Sequence, residues 1–497
     1  MSPCTSATAH RLFPMTSVAF LSPMCWGVRN VVASGLAARL RESGLRVTLL
    51  LPKFSDEQKR GLEQENFSVQ PLLSAAQRQA VGGRAFLNGI CRAAFHHGNR
   101  ISTGRIFKRW RQRNWTFRQR ARACVIESLA WLAQPRPVQD WLLRLDSCMY
   151  RRTMDLEPFR KQLQELSPSL LVSTAYVVGS EYPYLLAASG LGIPICVMIL
   201  SFDNLTSRGR LCTAGLPCRY LLWNDRMAKE IMAFYPGISR DILSVTGTPQ
   251  FDFHRRADCR WTREVTLGRL GLPRGARYIL YAANHHTFTP TEPSMVAELS
   301  QRLRAHASLS DLWVVVRRHP MDDAGRWGCM AQTDLKVRLA PTWMSQMESD
   351  GWAFLTVEDQ GLLVSSLLHA EACLNVASTM SLDAAVLDRP VIGVAFAFVA
   401  GSDEDRAYGE FFQTAHYAPL VRSGGLRLAR NWGELLALLE RAVEHPEEGR
   451  EARSRMVARE CGMVDGQATT RISEEILRMV RRPTPQQIVA VPSSLAD

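Results

Sequence analysis

The chain has 497 residues, too many for one hydrophobic core, and its 46% hydrophobic and 22% charged residues exclude a disordered or fibrous protein. Twelve cysteines lie singly, none in Cys-x-x-Cys, which speaks against a disulfide framework, disulfide partners or a structural zinc site and points to reduced thiols in a cytoplasmic setting. The net charge of +13 is local: twelve Lys and Arg lie between Asn66 and Ile126, a stretch without one acidic residue.

In chain order, Ser17–Leu21 reads as an apolar strand, 28–43 as a helix ending at Gly44, and Arg46–Leu51 as a second buried strand stopped by Pro52. Residues 56–160 break this rhythm; they are Arg- and Trp-rich, mostly helical in pattern, and hold no convincing strand run. Strand and helix patterns resume at Leu170–Ser173, a helix near 180–189, strands at 194–200 and 220–223, a helix to Phe234 and a strand at 242–246. After a junction at 247–260 the alternation restarts with strands Tyr278–Ala282, 312–316, 373–376 and 390–396, helices between them, and closing helices to Met479. The expected organisation is a first domain over 1–246 with a basic helical insertion at 56–160, a linker over 247–260, a second domain over 261–482 and a disordered tail over 483–497. Both domains read as α/β, Rossmann-like and doubly wound, facing a cleft where such sheets bind ligands. No run reads as a targeting or membrane-spanning segment; the longest uncharged one, 182–202, is broken by Pro183, Gly190, Gly192 and Pro194.

Residues 371–396 carry the densest chemical signal. Ser378 and Thr379 sit between an apolar strand and a helix, where free N–H groups favour an anion, and Asp383 lies one turn on, within reach of a ribose. An ordinary connection with Thr379 as N-cap accounts for the same residues. Arg317 and His319 follow the strand 312–316 and face the same cleft; Arg317 is suited to phosphate oxygens. Asp203 and Asn204 follow the strand 194–200, either as a general base or as a turn, with Thr206, Ser207 and Arg208 beyond them. Trp26, Arg29 and Asn30 open the first helix, a further anion-friendly terminus or a plain helix start. His285, His286 and His416 are lone histidines with proton-transfer capability, Glu292 reads as matching a helix dipole, and Asp322 with Asp323 as a solvated pair.

Four phrases occur in order: Leu200-Ser-Phe-Asp203-Asn204-Leu-Thr206-Ser207-Arg208-Gly209; Leu222-Trp223-Asn224-Asp225 with Val245-Thr-Gly247-Thr-Pro249-Gln-Phe-Asp252; Val316-Arg317-Arg318-His319-Pro320; and Ser378-Thr379 with Asp383 and Arg389-Pro390-Val391-Ile392. Together they resemble bacterial GT-B-fold glycosyltransferases, in the surface-carbohydrate branch related to CDP-glycerol glycerophosphotransferases and UDP-N-acetylglucosamine 2-epimerases. The family commonly writes Arg-Pro-His-Pro where Arg318 stands, and often Glu where Asp383 stands. The resemblance implies a nucleotide-sugar donor on Arg317, His319, Ser378, Thr379, Asp383 and His416. It places the acceptor near Trp26, Arg29, Asn30, Thr206 and Arg208, and chemistry on Asp203, Asn204 and His319. It implies glycosyl transfer to a surface-polysaccharide or lipid-linked acceptor, with no cofactor and no metal. Glycerophosphate transfer, sugar 2-epimerisation and non-catalytic nucleotide binding remain alternatives.

In the basic segment Ile106, Trp110, Phe117, Ala121 and Cys124 recur at helical spacing among Arg105, Lys108, Arg109, Arg111 and Arg113. A basic amphipathic helix of this kind reads as a membrane-surface element, placing the protein in the cytoplasm and peripherally on the inner face of the cell membrane. A packed helix with a solvated basic face is the alternative; no nucleic-acid module is present.

Overall fold

The computed structural model describes residues 16–74, 82–175, 180–207, 211, 213, 215–323, 325–332, 335–343 and 353–481. Two parallel sheets form the two domains. The first contains β1 (Ser17–Leu21), β2 (Arg46–Leu51), β3 (Ser68–Pro71), β4 (Leu170–Ser173), β5 (Ile195–Met198), β6 (Cys218–Leu222) and β7 (Leu243–Val245), ordered β3-β2-β1-β4-β5-β6-β7. The second contains β8 (Tyr278–Ala282), β9 (Trp313–Arg317), β10 (Val337–Ala340), β11 (Cys373–Asn375), β12 (Val391–Val394) and β13 (Arg427–Ala429), ordered β10-β9-β8-β11-β12-β13. Strand order reverses beside β1 and β8, where Val18 faces Leu170 and Cys373 faces Leu280. These are the two switch points, and the crevices they open carry the loops that follow the strands. β1, β4, β5 and β8 are buried along their whole length, as strands covered by helices on both faces must be.

Three strands lie outside the expected set: β3, β10 and β13. Each is a sheet edge, short and partly polar, and in β10 the two middle residues are exposed. β3 pairs with β2, so Asp56–Gln64 is an ordinary crossover helix and the insertion proper begins after β3. Its helices are Gly82–Gly98, Ser102–Gln112, Phe117–Leu132 and Arg136–Thr153.

The helix Ser102–Gln112 differs most from expectation. Its apolar edge is not free for a lipid surface: Ile106 and Trp110, the latter only 9% exposed, join the core of the second domain. Trp110 Nε1 donates to the Thr287 carbonyl at 2.7 Å, and the Phe107 ring packs on Phe288 and Phe411. Arg109 pairs with Glu410 and Arg113 with Asp403, while Lys108 pairs with Glu127. Arg105 and Arg111 line a cavity inside the insertion. This helix is a clasp from the insertion onto the other domain.

The last helix, Ala468–Arg481, returns to the first domain. Ile472, Ile476 and Met479 pack with Val18, Phe20 and Leu36, and both Asp252 oxygens accept from the Ala468 and Thr469 N–H groups. The expected helix over 28–43 is also broken: Cys25–Val28, a wide π turn Arg29–Ala33, and Leu36–Glu42 after Gly35 at φ 85°.

Ile476→Ala should cost about 2–5 kcal/mol by loss of apolar burial and cavity formation. Urea denaturation measures it, with the exposed Arg430→Ser variant unchanged as reference.

Candidate functional site

Arg29 and Arg317 come from different domains. Arg29 begins the π turn after β1, and Arg317 ends β9 at 6% exposure. Burial lowers both guanidinium pKa values to about 10, offset by Asp383 for Arg29 and by Asp359 and Asp383 for Arg317. Both stay charged at neutral pH. Arg29 Nε donates to Asn30 Oδ1 at 2.9 Å and Nη2 to Gln250 Oε1 at 3.1 Å. Arg317 stacks over the Trp343 ring at 5.3 Å, and its buried Nη1 has no hydrogen-bond partner among the described residues. A buried cationic donor without an acceptor is costly, and an anion entering here would satisfy it.

Asp383, 2% exposed, sits between them. Gln250 Nε2 donates to its two oxygens at 3.1 and 3.2 Å, and His254 Nε2 lies 3.2 Å from Oδ1. Burial alone would raise its pKa, but His254, Gln250 and Arg29 together hold it below the ordinary carboxyl value. Asp383 therefore ties the second domain to the 247–260 junction, where an open ribose contact was expected; a ribose hydroxyl would have to displace Gln250. Gln250, His254 and Asp359 were missed by the sequence reading. The available signal was the cluster Gly247-Thr-Pro249-Gln250-Phe-Asp252, polar residues packed into a junction.

The Ser378–Thr379 turn is held from below. Ser378 N–H donates to Asn375 Oδ1 at 2.9 Å, while Tyr417 Oη donates to the Ser378 carbonyl at 3.0 Å and meets Ser381 Oγ at 2.5 Å. Ala377 is forced to φ 48°, a strained conformation for a residue with a Cβ. Thr379 makes no side-chain cap, so the capping explanation fails and its exposed hydroxyl is free to meet a ligand.

His319 does not fit a base. Its Nδ1 accepts from the Met321 N–H at 3.1 Å, which leaves Nε2–H as a donor. Burial, then His285, pushes its pKa down to about 4, so it is neutral at physiological pH. Asp203 does not fit one either: both oxygens accept hydroxyls, from Ser201 and Ser207, each at 2.5 Å. Asn204 Oδ1 accepts from the Ser201 N–H at 3.1 Å, so the pair forms the turn that starts helix Asn204–Ser207. That turn brings Thr206 Oγ1 to 3.4 Å from His416 Nδ1, across the domain boundary. Burial lowers the His416 pKa, with Asp203 pulling the other way. Trp26 packs against the first-domain core, Asn30 is buried beside Arg29, and Arg208 lies outside the described residues.

His285 Nδ1 is engaged by Thr287, and His286 stacks on it at 4.1 Å. Asp322 is not solvated as expected: it accepts from His286 N–H, Arg326 and Trp327 Nε1. Glu292 is not a surface dipole partner either. It is fully buried, accepts from Thr289, Asn284 N–H and Arg326, and burial raises its pKa to about 7. Among the described residues no group of three or more His, Cys, Asp or Glu is placed to hold a metal.

These loops gather at the carboxyl ends of β1, β5, β9 and β11, around the boundary between two doubly wound domains. The fold is GT-B-like. Solved structures share it. The S. aureus MnaA–UDP structure matches at a TM-score of 0.52 and 12% identity, over 94% of this chain and 97% of that one. A putative UDP-N-acetylglucosamine 2-epimerase from Listeria monocytogenes matches at 0.53 and 12%, over 96% and 99%. The UDP-GlcNAc 2-epimerase from Neisseria meningitidis bound to UDP-GlcNAc matches at 0.51 and 10%, over 93% and 100%. At such identities the likeness is one of fold. No protein-family model and no curated protein matches the chain.

Glu181, after β4, was also missed. It accepts from Ser173 Oγ and from the Thr174 and Ala175 N–H groups, and burial raises its pKa to about 8. Its folded value exceeds the free value of 4.5, so its contribution to stability is full below that value and is lost as pH rises to about 8. Glu181→Gln should flatten this part of the stability–pH curve, measured by urea denaturation between about pH 5 and pH 8.

Proposed function

We propose that the chain is an enzyme acting on a nucleotide-activated sugar bound between its domains. The observation that carries this is the pair of buried arginines, one from each domain, with Arg317 Nη1 unpartnered at a strand end. Support comes from the fold, since structures sharing it hold UDP and UDP-GlcNAc. The diphosphate would lie on Arg317, Arg29 and the Ser378–Thr379 turn. As the sugar bond breaks, negative charge grows on that diphosphate, and two fixed cations in a water-poor site stabilise it. His319 Nε2–H adds a neutral donor.

Glycosyl transfer to a polysaccharide or lipid-linked acceptor is the preferred reading, metal-independent as the family resemblance implies. His416 is then the candidate base for the acceptor hydroxyl, with Asp203 and Thr206 positioning it. Sugar 2-epimerisation is the second reading, favoured by the activity named for the solved structures of this fold. Glycerophosphate transfer from a CDP-glycerol-type donor would use the same phosphate-binding groups.

Product analysis separates the three. Transfer predicts release of the nucleoside diphosphate only with an acceptor present. Epimerisation predicts a C2-inverted sugar nucleotide with no acceptor, and glycerophosphate transfer predicts release of CMP.

Arg317→Ala should abolish the thermal shift given by UDP, CDP, GDP or ADP. An unchanged nucleotide shift would sink the donor site. If His416 is the base, kcat should hold from pH 7 downward through the ordinary imidazole range and fall only below it, because the lowered pKa keeps the base free.

A further inference from the structure

We infer that the helical insertion carries a second ligand site, a basic recess opening onto an exposed apolar stripe, for the phosphate headgroup of an anionic membrane lipid. It stands on the insertion alone and does not depend on the nucleotide reading.

The recess is a cavity of about 560 Å³ bounded by the helices Gly82–Gly98, Ser102–Gln112 and Phe117–Leu132. Arg92, Arg100, Arg105, Lys108 and Arg111 line it against a single carboxylate, Glu127. That carboxylate is already engaged: Lys108 Nζ and His97 Nε2 each lie 2.6 Å from one of its oxygens. Among the described residues no carboxylate pairs with Arg100, Arg105 or Arg111. His96 lines the same cavity at 7% exposure, and its Nε2 has no hydrogen-bond partner among the described residues. Gly104 lets the His96 ring pack against this wall, since a Cβ there would lie 1.9 Å from His96 Nδ1. Arg100, Arg105 and Arg111, beside the buried ring of His96, make a site for an anion with several oxygens.

The kind of anion follows from what adjoins the recess. At His97 and Glu127 it continues into a groove walled by Ser128, Trp131 and Leu132. Trp131 and Leu132 belong to the outward face of the helix Phe117–Leu132. Phe117, Cys124 and Trp131 recur every seven residues on that face, with Val125 beside them. Phe117 is 85% exposed and Trp131 67%. The inward face is made of Ala123, Ile126 and Ala130, while Phe117, Val125, Trp131 and Leu132 are shown to solvent. Arg118 and Arg120 border the stripe on either side, and Val138 and Trp141 of the next helix are exposed as well. An arginine-bordered aromatic stripe that leads into a cationic recess complements a lipid monolayer, with apolar residues among the chains and phosphates in the recess. A protein partner would also cover the stripe, but it would not call for the cationic cavity behind it.

Vesicle co-flotation of the full chain tests this. The wild type should float with phosphatidylcholine vesicles containing phosphatidylglycerol and not with pure phosphatidylcholine. Trp131→Ser with Leu132→Ser should weaken binding by at least tenfold. Arg105→Ser with Arg111→Ser should weaken it by about tenfold or more, at roughly fivefold per cation near an anionic surface. Arg430→Ser, on the second domain, should change nothing. Flotation that survives either double variant would overturn the site. So would absence of flotation in a chain whose melting temperature is raised by glycerol 3-phosphate or inorganic phosphate, since the ligand would then be a soluble anion. A wild-type dimer in sedimentation velocity that Trp131→Ser dissociates, again without flotation, would make the stripe an interface between copies and overturn the lipid.

Discussion

Buried charge at the domain boundary is the constraint on which the rest of the structure depends. Asp383, Arg29 and Arg317 are all withdrawn from water, and each would be expensive alone. Gln250 carries the connection between them, donating to Asp383 and accepting from Arg29, so the junction between the domains is itself part of the site. Arg29 and Arg317 do not form direct ion pairs with Asp383; they feel it at a distance and stay short of full compensation. That deficit gives the cleft its affinity for an anion. Replacing Asp383 by an apolar residue would remove the one carboxylate that acts on both arginines and leave Asp359 to offset Arg317 alone.

Much of the fold was legible because burial writes itself into sequence. β1, β2 and β8 are mostly apolar, almost wholly buried runs. The edge strands β3, β10 and β13 were not legible, because half their surface meets water and their residues alternate poorly. The strand-end positions of Arg317, Ser378 and Thr379 could be read from the turn chemistry that follows an apolar run. The Gln250–Asp383 contact could not: 133 residues separate the two, and no local period links them. Asp203 and His319 had the right residue types in the right place, but both Asp203 oxygens and His319 Nδ1 are occupied by neighbouring groups. Only coordinates reveal such occupancy.

The insertion shows how an amphipathic pattern can mislead about its partner. Helix Ser102–Gln112 has the arginines and the tryptophan of a surface-seeking element, yet its apolar edge completes the core of the second domain. Helix Phe117–Leu132 has a weaker pattern because Phe117, Val125, Trp131 and Leu132 face outward while Ala123, Ile126 and Ala130 face inward. One segment thus connects three places: the first domain that carries it, the second domain it clasps, and the exposed stripe.

The central claim is that both domains grip one diphosphate. A double-mutant cycle in UDP binding, measured by calorimetry on the wild type, Arg29→Met, Arg317→Met and the double variant, tests it most directly. Two cations on a shared ligand predict at least a tenfold loss for each single variant and a coupling of about 0.5–3 kcal/mol between them. Unchanged affinity in either single variant, or strictly additive losses, would contradict it.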